Sequence, residues 1–339
     1  MGKALNKLLA AALFAGLAVV GAAPQAAEKE ATVGYQLIYN PWANAIVEGA
    51  FEKATGYKIN WVQFDSGAKV INAMASGDVH LALAGSSPIA AGVSRGLDIE
   101  MVWVVEDIAS AEALVVRNGS GIIAPQDLKG KKIACPFVST THFHLLFALE
   151  QFGIDPSEVN ILNMQPPEIA AAWERGDIDG AFVWDPALGQ IKKTGKVLIT
   201  SGQLSTWGKA TFDGLIANKT WAAENPDFMV AFIKTLAAAD ESYRSNPQAW
   251  TADSQMAKNI VKLVGGNPED VPGVLALYGF PSLEEQASSA WLGGGKEGGV
   301  ARALMFTSEF LLKEKKIDAT LEDYSVTVNP KWVEMALGQ

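Results

Sequence analysis

Four places in the sequence set oxygen-bearing side chains where an apolar strand gives way to a helix. They are Phe64-Asp65-Ser66-Gly67, Gly85-Ser86-Ser87-Pro88, Ser139-Thr140-Thr141-His142 and Trp184-Asp185-Pro186. In open α/β sheets, ligands bind beyond the carboxyl ends of the strands, where helix N-termini offer unpaired N–H groups. Those groups, with the hydroxyls of Ser86, Ser87, Ser139, Thr140 and Thr141, suit a small oxyanion held without lysine or arginine. Taken singly, each hydroxyl is explained better as a helix cap, with Ser87 the N-cap before Pro88 and Asp185 the cap before Pro186. Their recurrence in two halves of the chain favours binding. Two acids, Glu112 and Asp213, each stand at the head of an apolar strand. Such an acid beside a cleft would meet a cation, and a surface carboxylate explains it equally well.

Catalytic readings fare worse. There is no Gly-x-Ser-x-Gly elbow, and Ser139 with His142 lacks an orienting acid. His142 and His144 sit two apart on a helix, so their rings diverge, and no third metal ligand is spaced with them. No phosphate-cradling loop occurs, and the run Gly293–Gly299 follows no strand, so it reads as a flexible loop. Cys135, the single cysteine, ends an apolar strand and reads as a buried inert thiol. Neither an enzyme nor a cofactor or metal is expected.

The elements that would position these residues alternate between two periods. Strands are expected at 32–38, 58–64, 79–84, 100–105, 113–116, 131–134, 159–162 and 180–184. Helices are expected at 43–54, 67–75, 88–95, 141–152 and 167–174, and a mostly helical tail from about 221 packs back on the first sheet. Alternation of this kind implies parallel sheets covered on both faces. Ala75-Ser76-Gly77-Asp78-Val79 and Glu174-Arg175-Gly176-Asp177-Ile178 echo each other at helix-to-strand turns, as one βαβ unit used once in each of two lobes would. The length of 339 residues fits about two domains.

Residues 1–27 read as a secretory leader. Lys3 and Lys7 precede a 13-residue apolar run, Leu8 to Val20, and small residues then place a cleavage site within 22–27. The run is short for a membrane span, and no cysteine follows it to carry a lipid. The whole chain carries a net charge of −10, and losing Lys3 and Lys7 makes it −12. That excludes a general electrostatic attraction to nucleic acid or anionic membrane, so any anion must be bound locally.

Several segments, in order, carry a resemblance. Besides three of the junctions, they include Glu112-Ala113-Leu114-Val115-Val116, Asp127-Leu128-Lys129-Gly130-Lys131, Gln165-Pro166-Pro167 and Gly176-Asp177-Ile178-Asp179-Gly180-Ala181. Together they resemble the taurine branch of the nitrate/sulfonate/bicarbonate group of periplasmic substrate-binding proteins of ABC importers, from about residue 32 to at least 220. The resemblance implies a type II periplasmic-binding-protein fold: two α/β lobes, a ligand cleft between them, and a helical C-terminal region. Lobe I would comprise 28–115 and 213–339, and lobe II 116–212. It implies a monomer that binds taurine or a related sulfonate and delivers it to a membrane permease with a cytoplasmic ATPase. Ser86, Ser87, Ser139, Thr140 and Thr141 would then serve the sulfonate. Glu112 and Asp213 would serve the ammonium, and Gln36, Phe64, Asp65, Ser66, Trp184 and Trp207 would line the site. Asp185 and His144 depart from the branch. The competing reading is an enzyme on the same fold, related to thiamine-pyrimidine synthases.

Overall fold

The computed structural model describes residues 29–338. The expected leader lies outside the described residues. Ten strands form two five-stranded sheets. The first has the order β2 (Lys58–Phe64), β1 (Glu30–Gln36), β3 (Leu81–Gly85), β10 (Phe212–Asn218), β4 (Ile99–Asp107). The second runs β7 (Asn160–Asn163), β6 (Lys132–Cys135), β8 (Gly180–Trp184), β5 (Glu112–Arg117), β9 (Gly195–Thr200). Helices α1 (Pro41–Val47), α2 (Ala50–Thr55), α3 (Gly67–Ser76) and α4 (Ser86–Ser94) belong to the first lobe. Helices α5 (Thr140–Gln151), α6 (Pro166–Arg175), α7 (Ala187–Lys192) and α8 (Ser201–Thr206) belong to the second.

The sheets are mixed rather than parallel. β10 is antiparallel to both β3 and β4, and β5 is antiparallel to both β8 and β9. These are the two strands that begin just after the chain has changed lobe. The crossing itself occupies residues 108–111 outward and 207–211 on the return. The two segments run side by side, with the Ile108 N–H donating to the Thr211 carbonyl (3.2 Å). β5 therefore lies wholly in the second sheet, and the first lobe gives way before Glu112 rather than after residue 115.

Both sheets bury nearly continuous apolar strands, as two-sided coverage requires. β3 (Leu-Ala-Leu-Ala-Gly) and β8 (Gly-Ala-Phe-Val-Trp) are buried throughout. The second lobe closes its core around Leu114, Leu145, Leu149, Phe182 and the buried thiol of Cys135. Seven further helices follow β10: α9 (Lys219–Glu224), α10 (Pro226–Arg244), α11 (Gln255–Val264), α12 (Val271–Leu275), α13 (Leu283–Ala287), α14 (Gly299–Lys313) and α15 (Lys331–Leu337). This tail fastens to the first sheet. The Trp332 indole N–H donates to Glu100 Oε1 (2.9 Å), and the Gln286 amide bonds both the N–H and the carbonyl of Val104 (2.9 and 2.6 Å). α14 also reaches the second lobe, where Phe310 meets Phe143 edge-on at 4.9 Å.

Candidate functional site: a cleft of helix N-termini and buried acids

The two strand-head acids reach one cleft by the same device. β10 sets Asp213 opposite Gly85, the last residue of β3, and β5 sets Glu112 opposite Trp184, the last residue of β8. An antiparallel strand begins where its neighbours end, so each acid stands on the carboxyl rim of its sheet beside the helix starts. Between the lobes lies a small cavity. The first lobe contributes Gln36, Gly67, Gly85, Asp213 and Tyr278, and the second contributes Glu112, Ser139, Thr140 and Trp184. Among the described residues that line it there is no lysine or arginine.

Three helix N-termini converge there, those of α3, α4 and α5. Their first-turn N–H groups and partial positive charge suit an anion. α4 starts two residues earlier than expected, with Gly85 rather than Ser87 in the capping position. Glycine is needed at that point because a Cβ would come within 2.8 Å of Thr140 Cγ2, on the opposite lobe. Both serines therefore lie inside the first turn, and neither hydroxyl caps. The Ser66, Ser86 and Ser87 hydroxyls are buried and meet no hydrogen-bond partner among the described residues. Buried hydroxyls are rarely left in that state; the three sit next to Gly67, Gly85 and Pro88, which line the cavity, but do not themselves line it.

The hydroxyls of α5 are committed instead. Ser139 Oγ accepts from the His142 N–H (3.1 Å) and donates to the Pro136 carbonyl (2.6 Å). Thr141 therefore donates to Ser139 (2.7 Å), and Thr140 donates to Glu112 Oε1 (2.5 Å). What α5 offers an anion is its backbone. Gln36 is buried and donates to the Leu83 carbonyl (3.2 Å).

Besides Ser66, three expected lining residues are absent from the cavity lining. Trp207, 47% exposed, ends α8 and meets Phe152 edge-on at 6.3 Å, away from the cavity lining. Phe64 packs over Gly34, filling the space a side chain there would take. Asp65 pairs with Lys69 one turn along, a half-exposed ion pair. Asp185, expected as the cap of α7, stands one residue before the capping position, which Pro186 holds, and accepts the Gly189 N–H in the first turn (2.9 Å). His144 is fully buried between Ser201 Oγ (2.8 Å from Nδ1) and the Lys209 carbonyl (2.7 Å from Nε2).

Burial dominates the electrostatics. It pushes the Glu112 carboxyl up to about 8, with the nearby Asp213 adding to the shift and the Thr140 and Ser201 hydrogen bonds opposing it. It pushes Asp213 up to about 7. Glu106, on β4 behind Asp213, is driven well above the carboxylate range by burial and then by the charges of Asp213 and Asp240. Neither of its oxygens meets a hydrogen-bond partner among the described residues. The site therefore sets buried acids, with no basic side chain among the described residues that line the cavity, directly beside the neutral donors of its helix starts. Glu106 and Tyr278 were not singled out in the sequence. Glu106 comes at the end of an apolar strand rather than at its head, where Glu112 and Asp213 stand, and nothing around Tyr278 marks it.

A family model described as NMT1/THI5 like matches residues 44–250. The taurine-binding periplasmic protein of Escherichia coli is 40% identical over 329 residues, covering 97% of this chain and 98% of that one. The chain belongs to this family, among its periplasmic binding proteins. The crystal structure of the periplasmic aliphatic sulphonate-binding protein of Escherichia coli superposes with a TM-score of 0.70 at 22% identity, covering 90% of this chain and 99% of that one. The alkanesulfonate-binding protein of Xanthomonas axonopodis pv. citri, solved with MOPS bound, gives 0.69 at 22% identity, covering 92% and 99%. At that identity both show the fold alone.

Proposed function

We propose that the protein captures taurine, 2-aminoethanesulfonate, in the periplasm by closing its lobes around it, and delivers it to an ABC permease driven by a cytoplasmic ATPase. One observation carries the reading: one small cavity brings three helix N-termini together with two buried carboxylates, with no basic side chain among the described residues that line it. A sulfonate is anionic at any physiological pH, and neutral donors hold it without leaving a cation buried when the site is open. The ammonium two carbons away is matched by Glu112 and Asp213, with the Trp184 ring available as a wall. The 40% identity to a taurine-binding protein supports the same ligand.

Calorimetric titration with taurine, ethanesulfonate, nitrate and a thiamine-pyrimidine precursor tests it. Taurine is expected to bind tightest. Glu112→Ala or Asp213→Ala is expected to weaken taurine roughly 10- to 150-fold, the worth of a hydrogen bond to a charged group, and ethanesulfonate by less than about threefold. Equal losses for both ligands would remove the amine assignment and leave a general sulfonate binder. Turnover of the pyrimidine precursor would favour the enzyme reading.

A further inference from the structure

The mechanism above gives no task to His144, the buried histidine that departs from the taurine branch, although it stands one hydroxyl away from Glu112. Four links run through the buried side chains of His144, Ser201, Glu112 and Thr140: Lys209 carbonyl to His144 Nε2 (2.7 Å), His144 Nδ1 to Ser201 Oγ (2.8 Å), Ser201 Oγ to Glu112 Oε2 (3.2 Å), and Glu112 Oε1 to Thr140 Oγ1 (2.5 Å). Counting hydrogens along them restricts the protonation states. A carbonyl only accepts, so Nε2 carries a hydrogen. If Nδ1 is bare it accepts the single Ser201 hydrogen, and Glu112 must then carry a proton to bond Ser201 Oγ. If Nδ1 is protonated it donates to Ser201, which donates in turn to an ionised Glu112. The two states hold the same number of protons and differ only in where the charge sits.

We infer that His144 and Ser201 are positioning residues that set the charge of Glu112: docking of an ammonium drives the carboxyl proton through the Ser201 hydroxyl to His144 Nδ1. The Glu112 Oε2–H bond breaks as Ser201 Oγ takes that proton, and Ser201 passes its own hydrogen to Nδ1. A carboxylate, an imidazolium and an intact hydroxyl result. This inference rests on the amine reading of Glu112 proposed above. The surroundings favour the neutral pair before binding. Glu112 faces Asp213 from β10, with Glu106 and Tyr278 on the same side, so a second buried anion is costly there. His144 packs against the rings of Phe143 and Phe182, and burial holds it down to about 4. The Lys209 ammonium lies over the Phe306 ring, 5.3 Å from its centre. An arriving ammonium reverses the balance at Glu112, and the shift keeps the pair neutral overall without expelling a proton into solvent.

The sequence has three histidines, His80, His142 and His144, so ¹⁵N-histidine labelling of the full chain gives three imidazoles to follow at neutral pH. Saturating taurine is expected to convert the His144 resonances from the neutral Nε2–H form to the doubly protonated form, and ethanesulfonate is expected to leave them unchanged. Titrations in buffers of different ionisation heat supply a second readout. Ser201→Ala, which cuts the relay, is expected to release one more proton per taurine bound than the parent protein. His144 remaining neutral with taurine bound, or equal proton counts for the two proteins, overturns the relay alone. Absence of any taurine binding overturns the taurine reading and the relay with it.

Discussion

Glu112 and Asp213 are costly residues for a ligand-free protein, and that cost has a measurable sign. In the unfolded chain their carboxyls titrate at the ordinary values of 4.5 and 3.8, whereas in the folded protein they are pushed up to about 8 and about 7. Between those limits the native state binds more protons than the unfolded one, so stability falls as pH rises. His142 and His144, both held down to about 4 by burial, act in the opposite sense below about 6.5. The decline is therefore cleanest from about pH 6.5 to 8. Thermal melts without ligand are expected to show Tm dropping across that window, with the drop reduced in Glu112→Gln; a rising Tm would contradict the burial argument. At this scale the sequence was legible where chemistry and position coincided. Isolated acids at strand heads stand out in a sequence. Which hydroxyls remain free does not: Ser139 is consumed within its own turn, but Thr140 is consumed by Glu112, which only the folded second lobe brings near.

Among the elements, those bounded by clear turn signals were legible, whether buried or half exposed, and short or weakly patterned ones were not. The spans of β2 and β8 match the expectation because each is bounded by a clear turn signal. β9, Gly-Lys-Val-Leu-Ile-Thr, was missed: it pairs only with β5 and keeps much of its length exposed, so its pattern carries little periodicity. The short helices α7 and α8, six residues each, lack the two turns needed to display an apolar stripe. The antiparallel insertion of β5 and β10 was equally hidden, since strand direction follows from where the chain crosses lobes. The turn from β3 into α4 offers a test of how the elements meet. Gly85 has an ordinary φ of −67°, so alanine fits the backbone, yet its Cβ would press on Thr140 across the cleft. Gly85→Ala is expected to weaken taurine binding by about 5- to 100-fold, the cost of modest overpacking, while leaving the ligand-free Tm nearly unchanged. A large fall in that Tm would place the clash within the first lobe instead.

For the molecule as a whole, two lobes joined by a pair of adjacent crossing segments can report on their own closure. Cys135, the single cysteine, is fully buried in the core of the second lobe, and burial raises its thiol pKa far above the ordinary value. Maleimides need an accessible thiolate, so this native thiol is chemically silent in the folded protein. Ile123 on the second lobe is 90% exposed and Val326 on the first is 64% exposed. Cysteines introduced at those two positions would be the only ones to take a donor and an acceptor dye. Energy transfer between them is expected to change on adding taurine and to saturate together with the calorimetric titration. An unchanged signal at full occupancy would mean that the lobes do not move relative to each other on binding. The sequestered thiol thus gives the scaffold a ready route to an optical sensor for small zwitterionic sulfonates, with no background labelling to remove.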